Sequence, residues 1–145
     1  MSGILVGVDG SENSQHALQW AAKEAAFRNT SLTVLAVHQA VHGWTGTLSF
    51  HDDDAQTQKI AEAAKAETDK VLAELGDSRP ESVTVRAVHG YPAEELINAS
   101  ADSDMIVVGS HGTGRWSRQM LGSVASKVAH HANVPVLIVP SERRN

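Results

Sequence analysis

The run Met105-Ile106-Val107-Val108-Gly109-Ser110-His111-Gly112-Thr113-Gly114-Arg115-Trp116-Ser117-Arg118-Gln119-Met120-Leu121-Gly122-Ser123 decides how the chain folds. It opens on four consecutive apolar residues and passes through a glycine-rich stretch. It then enters a segment with Leu121, Val124, Ala125, Val128, Ala129 and Ala132 at i, i+3, i+4, i+7, i+8 and i+11. A continuous apolar run suits a strand buried on both faces of a parallel sheet. The 3.6-residue period marks a helix with one buried stripe. Strand, glycine loop and helix therefore follow one another.

The same alternation extends in both directions. Apolar or β-branched runs at residues 4–8, 32–37, 83–88 and 136–139 predict four more strands. In the run at 83–88, Thr84 and Arg86 fall on one face, so it reads as an edge strand. Ser11 is placed to cap a helix with Ala17, Leu18, Ala21, Ala22 and Ala25 on one face, with Glu12 in the first turn where the helix dipole favours an acid. A longer helix presents Ile60, Ala64, Thr68, Val71, Leu72 and Leu75 and ends at Gly76, a residue suited to the C′ position. Pro92 suits the first turn of a short helix holding Leu96 and Ile97. Alternating strands and helices predict a three-layer α/β fold, an open parallel five-stranded sheet with helices on both faces and right-handed crossovers. The long irregular segment, residues 39–53, exceeds the usual connection and is a candidate lid or partner surface.

Composition narrows the function. The 145 residues read as one domain, 1–145, and the chain has no cysteine, which excludes a disulfide scaffold, a cysteine zinc site, an iron–sulfur cluster and a thiol nucleophile. Twelve Lys and Arg against 17 Asp and Glu give a net charge of -5, and the longest basic block is Arg143-Arg144, so a nucleic-acid partner is disfavoured. The first nine residues carry no positive n-region and reach Asp9, unlike a signal peptide. With no apolar stretch near the ~18 residues a bilayer span needs, no membrane partner is expected and the expected location is cytoplasmic.

In an open parallel α/β sheet the ligand sits beyond the carboxyl ends of the strands, where strand order reverses. Gly122-Ser123 lies at the start of a helix, where free N–H groups and the dipole attract an anion and the Ser123 hydroxyl adds a donor. The loop glycines allow positive φ and close approach of a ligand to the main chain. Two well-known phosphate loops do not match: there is no G-x-x-x-x-G-K-[ST], and Gly109, Gly112 and Gly114 run G-x-x-G-x-G rather than G-x-G-x-x-G. The spacing present is G-x2-G-x9-G-[ST], with Gly109, Gly112, Gly122 and Ser123 in place.

That spacing is the ATP-binding motif of the universal stress protein family, which the sequence resembles over its whole length. Asp9 after strand 1, Val37-His38 at the end of strand 2, Gly90-Tyr91-Pro92, Asp104-Met105-Ile106-Val107-Val108-Gly109 and Val134-Pro135-Val136-Leu137-Ile138-Val139 stand where the family has its landmarks. The resemblance implies a Rossmann-like sheet of the adenine nucleotide alpha hydrolase type, in order 3-2-1-4-5, with ATP across the ends of strands 1 and 4. It implies that Asp9 and the Val37 backbone meet the adenosine end and Gly109 the ribose. Gly112, Gly122, Ser123 and the Val124 amide would then hold the phosphates. Mg²⁺ would ride on phosphate oxygens with few protein ligands. His111, Arg115 and Arg118 are candidate phosphate contacts, and for His111 capping of the loop stands as the alternative. The family further implies a nucleotide-dependent stress-response module acting as a homodimer. Strand 5, Val136, Leu137, Ile138 and Val139, is an apolar sheet edge without a protecting charge and is the expected dimer contact.

Other chemistries fit less well. Ser110 lacks the G-x-S-x-G elbow of hydrolases, and no H-E-x-x-H is present among the eight histidines. His38 and His42 follow a strand, and His130-His131 are adjacent on a helix and point apart, so packing or solvation is their default role. A response-regulator phosphoacceptor site would need acids and a lysine where Gly10-Ser11, His89-Gly90 and Pro140-Ser141 stand. No catalytic residue is assigned. A slow ATPase or phosphotransferase using the same pocket and a nucleotide-free dimeric scaffold are the alternatives. Trp44 and Trp116 fall in expected loops, as packing residues or partner contacts.

Overall fold

The structure, a computed structural model, describes residues 3–39, 52–111 and 121–141. Among the described residues five strands and four helices alternate: β1 (Gly3–Val8), α1 (Glu12–Phe27), β2 (Ser31–His38), α2 (Asp52–Leu75), β3 (Ser82–His89), α3 (Pro92–Ala99), β4 (Met105–Gly109), α4 (Ser123–His131) and β5 (Val136–Val139). A short 3-10 turn, Ser100–Asp102, leads from α3 towards β4. All strand pairings are parallel, and the sheet order is β3-β2-β1-β4-β5. The architecture and order expected from the sequence are those observed.

Two cores cover the two faces. Ile4, Val6, Val8, Leu32, Val34, Ala36, Val107 and Val139 pack beneath Ala17, Leu18, Ala21, Ala22 and Ala25 of α1 and Ala64 and Val71 of α2. The residues between them, Leu5, Leu35, Ile106 and Val108, pack against Ala93 and Leu96 of α3 and Ala125 and Val128 of α4. Alternation along each strand thus feeds both layers, which is why β1 and β4 read as continuously apolar. β3 is an edge, and Thr84 and Arg86 are its exposed residues within that stretch, as their alternation suggested.

The helix boundaries follow local chemistry. Ser11 caps α1, its hydroxyl accepting from the Ser14 N–H at 3.2 Å. Gly76 has φ 62° just past α2, and Pro92 occupies the first turn of α3. The stripe expected on α4 is narrower than its period implied. Leu121 precedes the helix and is 46% exposed, and Ala129 is exposed, leaving Ala125 and Val128 buried with Val124 and Ala132 packed beside them. A nine-residue helix on the sheet buries about one contact row, so the flanking positions of the ideal stripe fall outside it. Residues 40–51 of the expected irregular segment lie outside the described residues, and α2 already begins at Asp52. Among the described residues no helix is long and apolar enough to cross a membrane.

Candidate nucleotide site

Strand order reverses between β1 and β4, and a cavity of about 460 Å³ opens there at the carboxyl ends of the strands. Its size falls within the ~300–1,000 Å³ typical of small-molecule sites. Val8, Asp9 and Gly10 after β1, Val37 and Gln39 around the end of β2, and Gly109, Ser110 and His111 after β4 contribute to its wall. Ile60, Ala63 and Ala64 of α2 supply an apolar side, and Gly122, Ser123 and Val124 bring the start of α4 to it. The cavity therefore unites Asp9, Val37, Gly109, His111, Gly122, Ser123 and Val124, distant in sequence but all expected to meet a ligand. Gly112, Arg115 and Arg118, like Trp44 and Trp116, lie outside the described residues.

The β1–α1 turn is built by its own side chains. Asp9 Oδ1 accepts the Ser11 N–H at 2.9 Å, the Asp9 N–H donates to Ser14 Oγ at 3.2 Å, and Ser14 Oγ–H donates to the Ser11 carbonyl at 3.0 Å. Gly10 between them has φ 83°, a conformation that side chains rarely adopt. Asp9 is exposed at the mouth of the cavity. Its turn role and a ligand role are compatible, because one carboxylate oxygen can satisfy the turn.

The other wall depends on a residue that the sequence does not single out. Asn13, buried in the first turn of α1, donates from Nδ2 to the Val139 carbonyl at 3.2 Å, and its Oδ1 accepts the His111 N–H at 2.7 Å. Ser110 Oγ lies 3.3 Å from the same Oδ1 and 3.1 Å from His111 Nδ1. One carboxamide thus joins α1 to the ends of β4 and β5. The backbone continues the tie, with Ser110 N–H donating to Val139 O at 2.9 Å and Gly122 N–H to Ser110 O at 2.7 Å. The only local sign of this role is an Asn in a helix first turn, which ordinarily serves capping; its partners stand 98 and 126 positions away.

Of the loop glycines, Gly109 and Gly122 lie among the described residues. Gly122 has φ -63° and ψ 158°, an ordinary extended conformation, so its role here is not to supply positive φ. What it requires is space: a Cβ there would lie 2.8 Å from the Ser110 carbonyl oxygen and 3.2 Å from His111 Cα. At Gly109 a Cβ would meet Asn13 Oδ1 at 2.9 Å. Both glycines let the protein's own backbone and Asn13 close together beneath the cavity. Gly122 is also the N-cap of α4 and offers no side-chain cap, so the first N–H groups of the helix lack that partner. With the helix dipole they form a positive end beside the Ser123 hydroxyl.

Residues 1–140 match the model of the universal stress protein family. The universal stress protein Rv1996 of Mycobacterium tuberculosis is 36% identical over 156 aligned residues, covering 98% of this chain and 49% of the relative. The chain spans about half the length of the curated relatives it matches. Among solved structures, universal stress protein UspA from Lactobacillus plantarum superposes with a TM-score of 0.76 at 25% identity, covering 95% of this chain and 97% of that one. The Archaeoglobus fulgidus universal stress protein in complex with dAMP has a TM-score of 0.60 at 24% identity, over 96% of this chain and 98% of that one. With a parallel sheet in this order and a cleft at its switch point, the chain is an α/β protein of the Rossmann-like class. It belongs to the universal stress protein family.

If Asn13 holds the wall of the cleft, Asn13→Ala should lower stability by about 1–3 kcal/mol, the cost of leaving buried partners unsatisfied. It should also speed amide exchange at His111 and Gly122 more than in β1 or β2. Urea unfolding and hydrogen exchange by NMR check both. Unchanged protection at His111 would remove Asn13 from that role.

Proposed function

We propose that the chain is an ATP-binding regulatory module of the stress response. It binds ATP with Mg²⁺ across the ends of β1 and β4 and works in the cytoplasm as a homodimer. The observation that carries this reading is the start of α4, which has no side-chain cap, opening into a cleft with one apolar side. An uncapped helix start favours phosphate, and an apolar wall of Ile60, Ala63 and Ala64 suits a purine. Asp9 and the Val37 backbone take the adenosine end, and Gly109 lies at the ribose. Gly112, Gly122, Ser123 and the Val124 N–H take the phosphates. His111, Arg115 and Arg118 add contacts to them, and Mg²⁺ arrives on the phosphate oxygens, since it sheds water reluctantly. The likeness to the dAMP complex is one of fold, and the reading rests on the composition of the cleft.

In this reading the protein binds first and turns over slowly or not at all, so the nucleotide selects a conformational or partner-binding state. Slow transfer of the γ-phosphoryl group of ATP to Ser110 Oγ, with ADP as the leaving group, is the second reading, favoured by the 3.1 Å separation of this oxygen from His111 Nδ1, which takes the hydroxyl proton in the tautomer that leaves that nitrogen unprotonated. Phosphate found on Ser110 after incubation with ATP would establish that reading. A nucleotide-free scaffold would bind neither ATP nor adenosine.

Calorimetry with ATP and with adenosine tests the orientation. Asp9→Ala should weaken both by about 1.5–3 kcal/mol, the range for hydrogen bonds to a charged group, while Ser123→Ala should weaken ATP more than adenosine. Equal losses for the two ligands in Ser123→Ala would reverse the orientation, and unchanged affinity in Asp9→Ala would remove that contact.

The dimer is expected along β5. Ile106 N–H bonds Pro135 O and Ser110 N–H bonds Val139 O, so by alternation Val136 and Ile138 turn their own N–H and C=O groups to the outer edge. Their side chains, like that of Leu137, are half-buried. Such an edge pairs readily with its copy across a two-fold axis. Ile138→Pro removes one outward donor and spares the ladder to β4. It should give monomers by sedimentation with the far-UV circular dichroism retained; a folded variant that stays dimeric places the interface elsewhere.

A further inference from the structure

At the far side of the sheet from β5, the strand register brings together two histidines that the sequence keeps 51 positions apart. β2 and β3 pair over eight consecutive positions, the last of which is His38 opposite His89. The apolar residues before them on the same face, Leu32, Val34 and Ala36 on β2 and Val83, Val85 and Ala87 on β3, belong to one core cluster. The two imidazoles continue that row one step beyond its apolar part. Their ring centroids are 5.4 Å apart and their planes are inclined at 54°. His38 is half-buried and His89 exposed, so the pair is open to solvent.

From this juxtaposition we propose that His38 and His89 form a two-imidazole chelate for a divalent transition metal such as Ni²⁺, Cu²⁺ or Zn²⁺. The remaining coordination positions go to water or an exogenous donor. The distance fits. A metal bound at about 2.0–2.1 Å to an imidazole nitrogen lies roughly 3.2 Å from the ring centre, so two rings meeting at a near-tetrahedral angle have centres roughly 5 Å apart. The observed pair needs only side-chain adjustment to reach that arrangement.

The backbone beneath is fixed in advance. The β2–β3 ladder runs up to the two residues, and the Gly90 N–H donates to the His38 carbonyl at 2.9 Å, carrying the pairing past them. Binding therefore orders two side chains and no main chain, which keeps the entropic cost low. Imidazole nitrogens are the ligand type that these borderline metals share, and Cu²⁺ should bind more tightly than Ni²⁺ or Zn²⁺. Protons compete for the same nitrogens, so affinity should fall as the solution is acidified. Among the described residues no group of three ligating side chains comes together, so this is an open site rather than a closed structural one.

The other ring pair is a natural control. His130 and His131 are consecutive on α4, with ring centroids 6.3 Å apart. Consecutive helical residues do not face each other, so this pair cannot close on one ion as readily.

The test uses the whole chain without nucleotide and the metals alone, so it stands apart from the nucleotide reading. Zn²⁺ and Ni²⁺ are titrated into wild type, His38→Gln, His89→Gln and a His130→Gln/His131→Gln variant. Affinity and stoichiometry are read by calorimetry, and substoichiometric Cu²⁺ is added to the ¹⁵N-labelled protein to broaden nearby resonances. One ion per chain is expected at the pair, with broadening first at Val37, His38, His89 and Gly90. Even outer-shell partners of metal ligands cost about 10–100-fold when removed, so either single variant should lose at least tenfold in affinity, while the α4 variant keeps it. Circular dichroism confirms that each variant is folded. Undiminished affinity in His38→Gln or His89→Gln, a loss that follows the α4 variant instead, or broadening centred elsewhere overturns the proposal.

Discussion

A single buried carboxamide organises the cleft. Asn13 accepts the His111 N–H on its oxygen and donates from its nitrogen to the Val139 carbonyl, so both of its functions tie α1 to the ends of β4 and β5. Polar groups buried this way are costly if unpaired, so partners and orientation are fixed together. Gly109 has no side chain because Asn13 occupies that space, and Gly122 has none because the Ser110 carbonyl does. The Gly122 N–H to Ser110 O bond then delivers α4 with its first turn directed at the cavity. Remove the carboxamide and the connection between α1 and the wall of the cleft loses its hydrogen bonds.

From that constraint the rest of the site follows in order. The sheet sets the floor, since β1 and β4 are neighbours and their carboxyl ends diverge into α1 and α4 on opposite faces. The β1–α1 turn presents Asp9 on one side through a self-contained set of hydrogen bonds and a positive-φ glycine. The start of α4 presents main-chain donors on the other. Ile60, Ala63 and Ala64 of α2 add an apolar side to the same cavity.

How much of this was legible follows from how local each signal is. β1, β4 and β5 announce themselves as apolar runs, and α1 by its Ser11 cap and alanine stripe, because burial and capping act within a few residues of the signal. The glycine spacing from Gly109 to Ser123 points to the cavity for the same reason, although it does not reveal that Gly109 and Gly122 also make room for Asn13 and the Ser110 carbonyl. Asn13 could not be found that way: its partners belong to strand ends joined only by the three-dimensional fold. The His38 and His89 pairing is hidden similarly, since it depends on the register between two strands, and a shift of one residue would turn the rings to opposite faces. Leu121 and Ala129 show the reverse case, a pattern longer than the surface available to bury it.

The most direct measurement is chemical-shift mapping of ATP on the ¹⁵N-labelled protein. If the carboxamide-held wall and the open start of α4 form the phosphate site, saturating ATP should move the amides of Gly109, His111, Gly122, Ser123 and Val124 most. Adenosine alone should leave Gly122 and Ser123 nearly in place while still moving Asp9 and Val37. Shifts that spare Gly122, Ser123 and Val124 in the presence of ATP, or that ATP and adenosine produce equally there, would contradict it.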